Sequence, residues 1–211
     1  WRGGRDSALC RVIRASGPAP GEQAEDFAAA LRDSGIPARR LVEVGVYAPQ
    51  WAAWIEQVID WPGYADGVWW LHAHTKGDDW TVDAELRSEW TAQVAKRTAL
   101  DAADLVRGAV DVAWFHEVVQ TLGEERFTTL LSAAKYASTS GGHKRAELFA
   151  EALQGRVDPD ALLERIRTKR HQDSVRALGL LPLPDQEGPR DDEVLRRYEV
   201  LTGFVATDRT S

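Results

Sequence analysis

Two basic, histidine-bearing clusters carry residue types that ordinary helix packing does not require. The first is Ser138-Thr139-Ser140-Gly141-Gly142-His143-Lys144-Arg145, a run of small residues leading straight into a helical pattern. The second, Lys169-Arg170-His171-Gln172-Asp173-Ser174-Val175-Arg176, follows one helix later and could face the first if the two helices pair as an antiparallel hairpin. Free backbone N–H groups and cations converging on a helix N-terminus suit an anion. Ser140, Gly141, Gly142, His143, Lys144 and Arg145, with Lys169, Arg170 and His171, are therefore the candidate anion-binding residues. Three basic side chains oppose the helix macrodipole there, so something negative must compensate. A bound phosphate or nucleotide would do it; so would Glu147, Glu151 or an acid from another helix, and that structural ion-pair reading is preferred. The loop is not a P-loop, because the Lys-Ser/Thr ending is missing and no strand precedes it.

Other combinations weigh less. His171, Asp173 and Ser174 are the residue types of a hydrolase triad, but within one helical turn they cannot align nucleophile, base and orienter. Asp173 is expected to pair with Lys169 or Arg176 instead. His72 and His74 would share a face on a strand and could hold a metal there. On a helix they diverge by about 200° and cannot share one ion. With His116, Glu117 and Asp111 as the only further donors in view, no metal site is expected. Eight of the nine tryptophans lie between Trp51 and Trp114. Core packing is the preferred reading, with Trp51, Trp54 and Trp90 on buried faces and Trp69, Trp70 and Trp80 as the candidates for exposure.

The elements that must position these residues all read as helices. Leu9, Val12 and Ile13 suggest a short first helix. Ala24, Phe27, Ala28 and Leu31 form a stripe closed by Ser34-Gly35. Residues 36–47 fit either period, and helix is preferred. Pro49 opens the next segment, whose apolar face is Trp51, Trp54, Ile55 and Val58. Tyr64, Val68, Leu71 and Thr75 predict a helix over 64–76, and Leu86, Trp90 and Val94 another. Val112, Phe115, Val119 and Leu122 mark a helix ending at Gly123, and Phe127, Leu130, Leu131 and Ala134 mark its successor. After the glycine pair, Leu148, Phe149, Ala152 and Leu153 continue the pattern to Gly155. Asp158-Pro159 is a helix start signal. Val175 and Leu178 extend that helix or begin another, and Val194, Tyr198, Leu201 and Val205 make the last one. No hairpin signal interrupts this order. The expected fold is all-α, an irregular array of antiparallel helix pairs, with residues 1–40 as an N-terminal segment, 41–205 as one domain and 206–211 as a frayed tail.

The chain has 211 residues and a formal net charge of -7, which argues against sequence-independent binding of nucleic acid. One cysteine, Cys10, excludes an internal disulfide, and no apolar run approaches the roughly 20 residues that cross a bilayer. A cytoplasmic location is expected. The chain starts at Trp1 and contains no methionine, which reads as a piece of a longer polypeptide.

The runs YAPQWAAWIEQVIDWPG, VWWLHAHTK, AVDVAWFHEV, AAKYASTSGGHKRAELFAEAL and KRHQDSVRALGLLPL resemble a bacterial family of unknown function, domain of unknown function 4132. That family occurs in molybdate metabolism regulator-like proteins, and the resemblance covers roughly residues 45–205. It implies a module of a long multidomain cytosolic protein, sometimes accompanied by a WGR domain, and it implies no chemistry. The expected role is a non-catalytic interaction or scaffold domain. Its expected partners are other domains of the same polypeptide or a separate protein. The alternative is an anion- or nucleotide-binding, catalytic unit taking a phosphate-containing ligand at the two clusters. No cofactor is implied.

Overall fold

A helix with apolar residues on every side has no face to give to water, so the rest of the chain must surround it. The segment YADGVWWLHAH is such a helix. In the computed structural model, which describes residues 8–77, 84–138 and 141–208, it forms α5 (Tyr64–His74), and Gly67 through His74 are all buried. Before it come α1 (Ala8–Ala15), α2 (Ala24–Asp33), α3 (Ala38–Tyr47), a 3-10 turn at Pro49–Trp51 and α4 (Ala52–Ile59). After it come α6 (Ala84–Ala95), α7 (Ala102–Val106), α8 (Val112–Leu122), α9 (Glu124–Ser132) and a 3-10 turn at Ala134–Tyr136. Then follow α10 (Gly142–Leu153), α11 (Pro159–Lys169), α12 (Gln172–Leu180) and α13 (Glu187–Asp208). No strand occurs among the described residues, and the fold is all-α. Residues 36–47, which fit two periods in the sequence, are helical from Ala38.

The chain divides into two compact units, residues 1–144 and 145–211, with the division falling inside α10. In the first unit α5 packs against α3, α4, α6, α7, α8 and α9, and α2 packs on α4. The core around it is aromatic: Trp70 lies 5.3 Å from Phe115 and 6.3 Å from Phe127, and those two rings meet edge to face at 5.5 Å. On the α2–α4 side, Phe27 stacks on Trp51 at 5.2 Å with Trp54 at its edge. Trp69 and Trp70, read from the sequence as candidates for exposure, are only 7% and 0% exposed. The correction has a physical cause, because an all-round apolar helix has no periodic polar face to mark an outside. Trp80 lies outside the described residues. The Asp158-Pro159 start signal is seen as a helix cap, with Asp158 accepting from Asp160 N at 3.0 Å and Pro159 in the first turn; α8 is capped likewise by Asp111, which accepts from Trp114 N at 3.0 Å.

In the second unit, α11 packs on α12 through faces that bury Leu162 and Ile166, and Val175, Ala177 and Leu178. The residues at 172–180 form a separate helix rather than an extension, because Arg170 takes a left-handed conformation (φ 48°) that ends α11. Arg197 of α13 is 9% exposed. Its guanidinium donates to Leu181 O at 2.7 Å, to Pro182 O at 3.1 Å and to Glu193 Oε1 at 2.7 Å. Hydrogen bonds from Arg196 and Arg197 hold the Glu193 carboxyl below the usual carboxylate range. α13 begins at Glu187, well before Val194, the first residue of the stripe that marks it in the sequence.

One tight place in the first core is Gly45, where an added Cβ would lie 2.2 Å from the Tyr64 hydroxyl and 3.2 Å from Ile55 Cδ1. That hydroxyl is buried and donates to Val42 O at 2.9 Å. Gly45→Ala is expected to displace it and to destabilise the protein by about 2–3 kcal/mol. Urea unfolding checks this; an unchanged midpoint would contradict the packing described.

Candidate functional site

A glycine pair before a helix can serve a ligand or serve the backbone, and the geometry here assigns both glycines a backbone role. Gly141 has φ 84°, a conformation costly for any residue with a Cβ. At Gly142 an added Cβ would sit 2.0 Å from Thr75 O and 3.2 Å from Ser138 Oγ. The start of α10 therefore rests directly on the end of α5. The HAHTK segment and the glycine loop, far apart in sequence, form one place in the first unit.

At that place Lys76, 8% exposed, turns its ammonium inward and donates to Ala137 O at 2.7 Å. Burial, and then the positive charge of Arg14, push its pKa down to about 8. His72 Nε2 donates to Val46 O at 2.8 Å, and His74 Nδ1 donates to Trp70 O at 2.7 Å. The two rings thus leave α5 in different directions, each fixed by a carbonyl. The His72 carbonyl in turn accepts from Trp90 Nε1 at 3.2 Å. Burial, with the nearby Lys76 charge adding to it, pushes the His72 pKa down to about 3. No group of three or more metal-ligating side chains forms among the described residues. Asp111, weighed as a ligand, caps α8 and takes a hydrogen bond from Thr98.

Of the first cluster, Ser140 lies outside the described residues. His143 is half-buried, and its Nδ1 is enclosed without a hydrogen-bond partner. Lys144 is exposed and Arg145 is half-buried, both in the first turn of α10. In the second cluster Arg170, His171, Asp173 and Arg176 have visible structural work. Arg170 donates to Phe204 O at 3.2 Å and lies over the Phe204 ring at 4.7 Å. His171 caps α12, its Nδ1 accepting from Ser174 N at 3.2 Å. Asp173 pairs with Arg176 at 2.7 Å, one of the two expected partners. Lys169 is exposed at the end of α11. Sequence reasoning passed over Lys76, because its partner, Ala137 O, lies 61 residues on and nothing local marks it.

Two outcomes follow from this geometry. Gly142→Ala is expected to push the first residues of α10 off the end of α5 and cost about 2–3 kcal/mol, measured by urea unfolding. For His72, the folded pKa lies below the ordinary 6.5, so between pH 6.5 and 3 the unfolded chain binds the extra proton. Stability must then fall as pH falls through that window, by up to about 1.4 kcal/mol per pH unit from this residue. In His72→Gln that part of the slope should disappear, and denaturation curves of both proteins between pH 7 and 4 decide it.

Comparison with known proteins gives one finding. A family model described as a family of unknown function (DUF5724) matches residues 4–209. No match was found among curated proteins or among solved structures. The resemblance to the molybdate metabolism regulator-like family is thereby corrected: the match runs through the first 40 residues as well, and to a different family. The runs that suggested it are largely aromatic helix faces, a pattern that core packing produces in unrelated chains.

Proposed function

The chain belongs to a family of unknown function, DUF5724, and from that premise we propose that it is a non-catalytic helical module that contacts other proteins or other domains of its own polypeptide. The observation that carries this reading is α13. Along its 22 residues, Val194, Leu195, Tyr198, Leu201 and Val205 are 48%, 57%, 63%, 40% and 53% exposed. A contiguous exposed apolar stripe is what a docking surface requires, and single scattered apolar residues are not. The engagement of His72, His74, Lys76, Arg170 and His171 with backbone groups and rings supports the non-catalytic part.

A second reading, an anion at the start of α10, has one observation in its favour: the enclosed His143 Nδ1 beside the exposed Lys144. A phosphate titration followed by the His143 imidazole NMR signals tests it. A saturable shift lost in Lys144→Gln supports the reading, and no shift removes it.

For the leading reading, a photo-crosslinking residue is placed at position 198 of the full-length protein in its host cells, with a control at the exposed, off-stripe Asp192. The expected outcome is a discrete protein adduct at position 198 that is absent from the control and mapped by mass spectrometry. Equal labelling, or none, would count against the proposal.

A further inference from the structure

We propose, on the reading of α13 as a docking helix, that its occupant is a basic amphipathic helix. Val194, Tyr198, Leu201 and Val205 follow one another at spacings of four, three and four, the period of a helix-pairing seam. Leu195 widens the seam on one side. At 3.6 residues per turn these positions share an arc of about 120°, wide enough to seat a second helix. Towards the N-terminus the same arc continues through Asp191 and Glu187, both exposed, and Asp192 and Glu199 lie outside it on the Leu195 side.

The arginines of α13 offset these acids only in part, because Glu187, Asp191, Asp192, Glu193 and Glu199 outnumber Arg190, Arg196 and Arg197. Arg190 donates backwards to Pro184 O at 3.2 Å, Arg196 is held by Glu193, and Arg197 is buried on Leu181 O and Pro182 O. The seam is therefore apolar apart from Thr202, whose hydroxyl donates back to Tyr198 O at 3.0 Å, and acidic at its N-terminal end and border. A partner helix matches it with its own apolar stripe and with lysines or arginines where it meets Glu187 and Asp191. The same carboxylates disfavour an anionic membrane surface. They also disfavour a second copy, because each chain brings a net charge of -7 and the same acidic border.

The test uses two synthetic peptides with leucine at the a and d positions of their heptads, one carrying lysine and the other glutamate at the e and g positions. Binding to the full chain is measured by calorimetry. The lysine peptide is expected to bind at least about tenfold tighter than its glutamate twin, and less tightly as salt rises. The double variant Tyr198→Ser/Leu201→Ser should bind neither. Glu187→Lys/Asp191→Lys should reverse the preference. Because all four positions are exposed, circular dichroism of each variant should match the parent protein and keeps the comparison valid. Equal affinity for both twins, concentration-dependent dimers in sedimentation, or binding to phosphatidylcholine vesicles each overturns the basic-helix proposal while leaving α13 a docking surface. Binding of neither peptide, with no adduct at position 198, overturns both.

Discussion

Burial of α5 at Tyr64 and from Gly67 to His74 is the constraint on which the first unit depends. Once a helix is surrounded, every polar group on it must find a partner inside the protein or leave a cost of about 1–3 kcal/mol. α5 carries Tyr64, two histidines and, just beyond its end, Lys76. Tyr64 reaches Val42 O, His72 reaches Val46 O, His74 turns back to Trp70 O, and Lys76 crosses to Ala137 O. These bonds tie α3, α5 and the stretch before α10 together at specified angles, which apolar packing alone would leave looser. The buried indole nitrogen of Trp70 is without a hydrogen-bond partner, in a shell of rings from His74, Phe115 and Phe127.

Helices were legible in the sequence wherever a segment has a wet side. α2, α8, α9 and α11 each show apolar residues three and four apart, with glycine, proline or aspartate at their ends, and local chemistry is enough to place them. α5 was legible as a helix but not as the centre. Its lack of a polar face removes the signal that distinguishes inside from outside, and so Trp69 and Trp70 were placed on the wrong side.

The candidate site was less legible, for a different reason. Residue type and spacing identify cations, but the groups those cations touch lie far away along the chain: Lys76 bonds a carbonyl 61 residues on, and Arg170 one 34 residues on. A double glycine before a basic turn reads the same whether it cradles an anion or lets two backbones meet. Only the contact between Gly142 and Thr75 O separates the two. The apolar residues of α13 present the converse case, since their periodicity announces a buried face and says nothing about which molecule supplies the cover.

Arg197 gives that last helix a property its own residues could not. By gripping the carbonyls of Leu181 and Pro182 from below, the guanidinium fastens the connector to α13 and holds the helix at its middle. The apolar side chains of the neighbouring arc, centred about 100° around the helix from Arg197, are consequently kept from rolling under. A ligand arriving there meets a rail already straightened and pointed outward, so little of the binding energy is lost to ordering it.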